Sequence, residues 1–315
     1  MSLFTSLGYL VALHRHKHFG RAAQACHITQ PALSNAIRAL EKEFGTAIVK
    51  RGRAFESFTP EGERIFQTAQ RVLHEQEMLQ QALKSAANEP VGRLALGAVP
   101  SVMPIAARFA GLLQMRHKGI ALSLRSLSSP ELEAGLEDLS LDLALGYCER
   151  IKARAATLTT LLQYEERYFL LRRAARPADH GLQMCAQPCT WLEAASQPLC
   201  LLTPEMHNRA IVDAAFQQAG IRVQPVIETN SILTLGLTVL VGEVCSVLPG
   251  ALVGLVSAYG ELEAVPLQAP QVRTPIGFIY AHTQRPSHTL HAALEMASDP
   301  AWIAQVKAHS GSRQA

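Results

Sequence analysis

Apolar positions in the first 58 residues recur at helical spacing: Leu7, Leu10, Val11 and Leu13 within 3–14, then Leu33, Ile37 and Leu40 within 29–44. Thr29 offers a hydroxyl to an orphan backbone N–H, Pro31 suits a first turn, and Gly45 ends the helix that Thr29 begins. A shorter helix over 19–26 and a turn at His27-Ile28 lie between them. Alternation of Ile48, Phe55 and Phe58 around Gly52 predicts a small β-hairpin over 47–59. Thr59-Pro60-Glu61 opens the next helix, in which Ile65, Ala69, Val72, Gln76, Leu79, Leu83 and Ala86 follow a 4-3 repeat. A free-standing amphipathic helix of roughly 45 Å is not stable, so this seam predicts a second chain, with Gln76 setting register. Asn88-Glu89-Pro90 ends it.

Beyond Val91 the pattern becomes strand–helix alternation: strands over 93–99, 121–127 and 141–146, helices over 104–115 and 130–138. A second round begins near Tyr164, with strands over 168–172, 199–203, 223–229 and 244–248 and helices over 205–219 and 232–241. The segment 274–282 and a helix over 287–297 return to the first round. The expected class is α/β, parallel sheets covered by helices, in two lobes with a ligand cleft between them. Lobe I is expected at about 90–162 and 267–300, lobe II at about 163–266. The very apolar stretch 231–260 holds one charge, Glu243, but glycines and Pro249 break it into pieces too short to span a bilayer. It reads as a buried helix–strand pair, with no membrane partner.

With 315 residues, 48% hydrophobic and 17% charged, the chain has material for two or three cores and is not disordered. Its charge is uneven. Residues 1–58 carry eight Lys/Arg against three acids, a net +5, which leaves −2 for the rest. A basic head on a slightly acidic body suggests a polyanion-binding module joined to something else. The first residues place their bases after the apolar stretch, the reverse of a secretory signal, and six scattered cysteines read as reduced core thiols, so the expected compartment is the cytoplasm.

The segment Phe19-Gly20-Arg21-Ala22-Ala23-Gln24-Ala25-Cys26-His27-Ile28-Thr29-Gln30-Pro31-Ala32-Leu33-Ser34, continued by Leu40-Glu41, Gly45, Arg51 and Thr59-Pro60-Glu61-Gly62, closely resembles the winged helix-turn-helix of LysR-type transcriptional regulators. Gly20, Cys26 and Val49-Lys50 depart from the family's usual residues. The resemblance implies a DNA-binding domain over 1–58, a linker coiled-coil helix over 59–89 and a two-lobed effector domain over 90–315, like a periplasmic binding protein. It implies a homodimer and further a homotetramer. Physically, a helix started at Thr29 presents Gln30, Pro31, Ser34, Asn35 and Arg38 near its N-terminal half, where side chains meet base edges of double-stranded DNA. Lys50, Arg51 and Arg53 on the hairpin suit phosphate or minor-groove contact. The run His14-Arg15-His16-Lys17-His18 reads as a solvated, DNA-facing turn.

For the effector, Ser101 and Val102 follow the first lobe I strand, Ser128 and Ser129 the second, and Tyr147 the third. From lobe II, Thr203 and Asn230 stand at strand ends. Helix starts offer unpaired N–H groups, so a small carboxylate held mainly by neutral donors is expected, as no Arg is expected among these loops. The family's effectors meet hydroxyls at positions matched by Ser101, Ser128 and Thr203. Two alternatives compete: a redox-responsive regulator using cysteines, and an enzyme on the two-lobed domain with Ser101 or Cys148 as nucleophile. Peroxide-sensing relatives place a reactive Cys where this chain has Met206-His207, which speaks against the first. No phosphate loop, nucleophile elbow or zinc spacing occurs; Cys185 and Cys189 lack a nearby His pair, and neither metal nor cofactor is expected.

Overall fold

Helix α1 (Leu3–His16) starts where the Ser2 hydroxyl accepts the Thr5 N–H, and buries Leu7, Leu10 and Leu13. Helix α2 (Phe19–Ala25) buries Ala22 and Ala23, and α3 (Gln30–Phe44) buries Leu33, Ala36, Ile37 and Leu40. Thr29 caps α3 at Ala32 N–H, and Gly45 closes it at φ 66°, a left-handed conformation that favours glycine. Strands β1 (Val49–Arg51) and β2 (Phe55–Phe58) form the antiparallel wing. Helix α4 (Pro60–Lys84) begins against it: the Thr59 hydroxyl accepts the Gly62 N–H at 2.9 Å and donates to the Ala47 carbonyl at 2.6 Å. A Cβ at Gly62 would run into the Ile48 carbonyl, which explains the glycine in the Thr-Pro-Glu-Gly run.

This computed structural model describes residues 2–51, 55–84, 89–154, 156–282 and 286–311. The chain divides into two units, 1–87 and 88–315. The linker helix expected over 59–89 is therefore not a separate element in its first half. Phe66 and Ala69 are buried with Leu10, Ile37 and Phe58, and Ile65 and Val72 pack against the same core.

In the second unit, lobe I contains β3 (Gly92–Ala98), α5 (Met103–Arg116), β4 (Ile120–Ser126), α6 (Ser129–Glu137), β5 (Leu143–Tyr147) and β6 (Leu158–Glu166). The chain then crosses at Arg167 into lobe II: β7 (Tyr168–Arg173), β8 (Gln183–Met184), β9 (Cys189–Thr190), α7 (Trp191–Ala195), β10 (Leu199–Leu202), α8 (His207–Gln218), β11 (Ile227–Thr229), α9 (Ile232–Val241), β12 (Cys245–Pro249), α10 (Gly250–Val253) and β13 (Leu262–Gln268). It returns to lobe I through β14 (Thr274–Ala281), α11 (His288–Ala297) and α12 (Pro300–His309).

Both sheets are mixed, not the expected parallel ones. In lobe I the order is β4-β3-β5-β14-β6, with β14 antiparallel to β5 and β6 antiparallel to β14. In lobe II the path is β11-β10-β12-β7-β13-β8, with β7 antiparallel to both its neighbours. The lobe boundaries shift accordingly: 163–166 lie on β6 in lobe I, 267–268 on β13 in lobe II, and α12 carries lobe I to His309. The shift at 163 has a physical cause. Tyr164 pairs with Ile276 and Leu162 with Gly277, so Gln163 is the extra residue of a bulge. Gln163 is 4% exposed and accepts the Trp302 Nε1–H at 2.6 Å, while Leu162 points out at 56% exposure. No described helix is long and apolar enough to cross a membrane.

Candidate functional site

In the first unit, α3 separates its faces cleanly. Leu33, Ile37 and Leu40 are buried, while Gln30, Pro31, Asn35 and Arg38 are exposed and Ser34 is half-buried. Arg38 Nη1 lies 3.5 Å from Asn35 Oδ1, one turn apart on the exposed face. Lys50 is exposed on β1; Arg51 is described in its backbone alone, and Arg53 lies outside the described residues. Glu41, read only as part of the sequence pattern, anchors the wing to α3: its Oε1 accepts the N–H groups of Ile48 at 3.0 Å and Val49 at 3.3 Å.

The basic turn does not face solvent throughout. His14 stacks on Phe66 at 3.6 Å and pairs with Glu63 at 3.4 Å. His18 caps α2, its Nδ1 accepting the Gly20 N–H at 3.0 Å, and Lys17 Nζ sits over Phe58. Packing and capping claim these side chains, leaving Arg15 exposed. The heptad seam splits in a similar way. Ile65, Ala69 and Val72 serve the core, Gln76 is half-buried, and Leu79 and Leu83 stand 61% and 78% exposed, available to a second chain. Ala86 lies outside the described residues.

In the second unit a cavity of about 190 Å³ opens between the lobes. From lobe I it is lined by Ser101, Ser128, Ser129, Tyr147 and Arg150; from lobe II by Leu202, Glu205, Met206, His207 and Asn208. Ser101 Oγ and Tyr147 OH share a hydrogen bond of 2.8 Å, and burial pushes the phenol up to about 12. Ser128 is fully used as a cap: it receives the Glu131 N–H, while the Glu131 carboxylate accepts the Ser128 N–H and hydroxyl. Those bonds hold the Glu131 carboxyl below its ordinary value. The Ser129 hydroxyl, by contrast, has no hydrogen-bond partner among the described residues.

Three effector-site expectations are corrected. Val102 is fully buried in the lobe I core. Thr203 does not line the cavity, because its hydroxyl donates to Glu205 at 2.6 Å, and Asn230 is exposed away from it. Arg150 does line it, against the expectation of neutral donors only. Its Nε donates to Glu133 at 2.7 Å, which offsets the charge.

His207 and Asn208, which sequence reasoning missed, stand at the start of α8, a helix without a side-chain cap. The His207 ring meets Tyr147 edge-on at 4.5 Å, and Asn208 Nδ2 reaches Tyr168 OH at 3.5 Å. Arg209 fixes this helix start: Nη1 donates to the Leu202 carbonyl at 2.5 Å and to Glu228 at 2.7 Å, and Nε to Asp213 at 2.8 Å.

The geometry gives little support to nucleophilic chemistry. Ser101 pairs with a phenol that stays protonated near neutral pH, and burial pushes the Cys148 thiol up to about 11. All six cysteines are unpaired, and burial raises every one of their thiols, first among the causes in each case. Among the described residues no group of three or more His, Cys, Asp or Glu could hold a metal ion.

Comparison with known proteins places this architecture. The family described as bacterial regulatory helix-turn-helix protein, lysR family, matches residues 4–63, and the LysR substrate binding domain matches 87–301. A hydrogen peroxide-inducible genes activator of Pectobacterium carotovorum is 34% identical over 140 residues, 44% of this chain and 46% of that protein. An SDS degradation transcriptional activation protein of a Pseudomonas species is 36% identical over 148 residues, 45% and 47% of the two chains. The chain thus matches about half the length of these curated relatives. A full-length OxyR variant from Pseudomonas aeruginosa aligns with TM-score 0.68 and 25% identity over 96% of this chain and 95% of that one. CbnR, a LysR family transcriptional regulator, aligns with TM-score 0.64 and 17% identity over 95% and 98%. The second family match alone covers more than half of the residues, and the chain belongs to the LysR family of helix-turn-helix regulators, with that family's DNA-binding and substrate-binding domains.

Proposed function

We propose that this protein is a transcriptional regulator that binds double-stranded DNA through α3 and the wing, and responds to a small organic acid held between the two α/β lobes. The observation that carries the reading is the exposed face of α3. Gln30, Asn35 and Arg38 project from a helix whose opposite side is fully committed to the core. Gln and Asn suit adenine, Arg suits guanine, and a helix anchored at the wing by Glu41 holds them in one orientation. The exposed Leu79 and Leu83 supply a surface for a homodimer, which would place two such helices on a two-fold site. A homotetramer in the cytoplasm is the assembly this reading expects.

The cavity supports a small acid by size and by chemistry. About 190 Å³ is of the order of the apolar cavity of about 150 Å³ that admits benzene. One wall is apolar, through Leu202 and Met206. The other presents Arg150, two serine hydroxyls and the uncapped start of α8. A peroxide response, the role in the names of several relatives, has less support, because no thiol here is activated.

Gel-shift measurement on DNA upstream of the chain's own gene tests the first part. Arg38→Ala should lose about 1–3 kcal/mol of preference for that DNA over random sequence. Lys50→Ala should weaken both alike and reduce the salt slope by about one. Parent-like binding by both variants to both DNAs would refute the assignment of α3 and the wing.

A further inference from the structure

Two buried polar atoms at the cleft have no hydrogen-bond partner among the described residues: Ser129 Oγ from lobe I and His207 Nε2 from lobe II. Both residues line the same cavity. An unpaired buried hydroxyl or imidazole nitrogen costs free energy, so two of them at one opening call for a group that supplies acceptors. Capping does not account for Ser129, which is 6% exposed, because Ser128 and Glu131 already close the α6 start. Nor is His207 a cap, since the α8 start has none.

The charges around His207 are nearly balanced. Glu149 and Arg150 face it from the turn after β5, Glu133 from α6, and Glu205 from the loop ahead of α8; the Tyr147 ring lies on β5. Arg150 is tied to Glu133 at 2.7 Å. Glu149 Oε1 is 3.6 Å from His207 Nε2, an ion-pair separation longer than a hydrogen bond. An anion brought against Nε2 would tip this balance.

Resting on the cleft as the effector site, we propose that it takes a small carboxylate together with one proton: the carboxylate oxygens accept hydrogen bonds from Ser129 Oγ and from an imidazolium at His207 Nε2, so that one ligand spans both lobes. The proton comes from solvent, the ligand stays ionised, and no covalent bond changes. Without ligand, burial first and Arg150 second hold the imidazole below its ordinary value, so it is neutral near pH 7. The ligand's charge raises it, and binding therefore takes up a proton and weakens as pH rises. Lobe closure then reports acidity and acid concentration jointly.

The test is calorimetric titration of the full-length protein with acetate, lactate and benzoate, each beside its neutral amide, near pH 6, 7 and 8 in two buffers of different ionisation enthalpy. At least one carboxylate should bind, with its amide at least about tenfold weaker. Its Kd should rise by up to about tenfold per pH unit, and the heat should vary with buffer as for uptake of up to one proton. His207→Gln should abolish both the pH dependence and the proton uptake. Ser129→Ala should weaken binding about tenfold and keep the uptake. Affinity equal at pH 6 and 8, an amide that binds as well as its acid, persistent uptake in His207→Gln, or silence from every probe each overturns the inference. The cleft reading is judged separately, by whether small-molecule extracts shift DNA binding of the parent but not of Ala210→Trp, which fills the cleft mouth. Unfolding curves check that each variant folds.

Discussion

Two serines that line one cleft should respond to alanine with opposite sign. Ser129 Oγ is buried without a partner among the described residues. Removing it relieves an unmet hydroxyl, worth about 0.5–2 kcal/mol on scales that allow partial compensation. Against that stand the few dispersion contacts of one oxygen, at about 0.1–0.2 kcal/mol each. Alanine is also the better helix former in the first turn of α6, where Ser128 and Glu131 keep the cap. The net expectation for Ser129→Ala is a gain of about 0.5–1.5 kcal/mol, or about 1–5 °C in the melting of a unit this size. Ser101→Ala instead breaks the 2.8 Å bond to the buried Tyr147 phenol. Asn208 still supports that phenol, so the loss should be at the lower end, about 1 kcal/mol. Urea unfolding of the full-length protein without added ligand, followed by circular dichroism, measures both. A loss of more than about 1 kcal/mol in Ser129→Ala would mean that the hydroxyl is satisfied in the folded protein, and the reasoning would fall.

Leu79→Asp should leave thermal stability within about 0.5 kcal/mol, because Leu79 is exposed, yet should convert the assembly to monomers and abolish tight operator binding; light scattering at micromolar concentration checks it. Glu166, wholly buried, accepts the Tyr164 hydroxyl at 2.9 Å, and burial pushes its carboxyl from 4.5 up to about 8. The folded state holds the proton more tightly than the unfolded one, so stability is full below about pH 4.5 and declines as pH rises towards 8. Glu166→Gln should flatten that decline in denaturation curves taken across this range. Gln163→Leu would strand the Trp302 Nε1–H, which now donates to Gln163 at 2.6 Å, and should cost about 1–3 kcal/mol in the same measurement.

The first unit was largely legible because its signals are local. Thr29, Pro31 and Gly45 bound α3 through cap geometry that neighbouring residues decide. The second unit was legible where strands alternate with helices, as at β3, α5 and β4. It failed where faces are set by distant partners. In β6 the bulge at Gln163 turns a polar residue inward and Leu162 outward, which erases the alternation that marks a strand. Helix α12 was missed although its signal was present: Asp299 accepts the Ala301 N–H, and Pro300 occupies the first turn.

The cleft failed for a subtler reason, and the failure is instructive. Hydroxyls at strand ends were read as ligand donors, yet a hydroxyl followed closely by Glu is consumed locally. Ser128 is bound to Glu131, Thr190 to Glu193 and Thr203 to Glu205, each within two or three residues. Such a pair neutralises the helix start that an anion would need, since the carboxylate already occupies it. What remains for a ligand is the hydroxyl next to the pair, Ser129, the hydroxyl without an acid nearby, Ser101, and the helix start that lacks both, at His207. Thr203 and Asn230 therefore fall out of the site, while Ser129 and Ser101 stay in it. The same rule draws attention to Met206-His207 as an uncapped start, a signal written in the sequence as the absence of Ser, Thr, Asp or Asn before the helix.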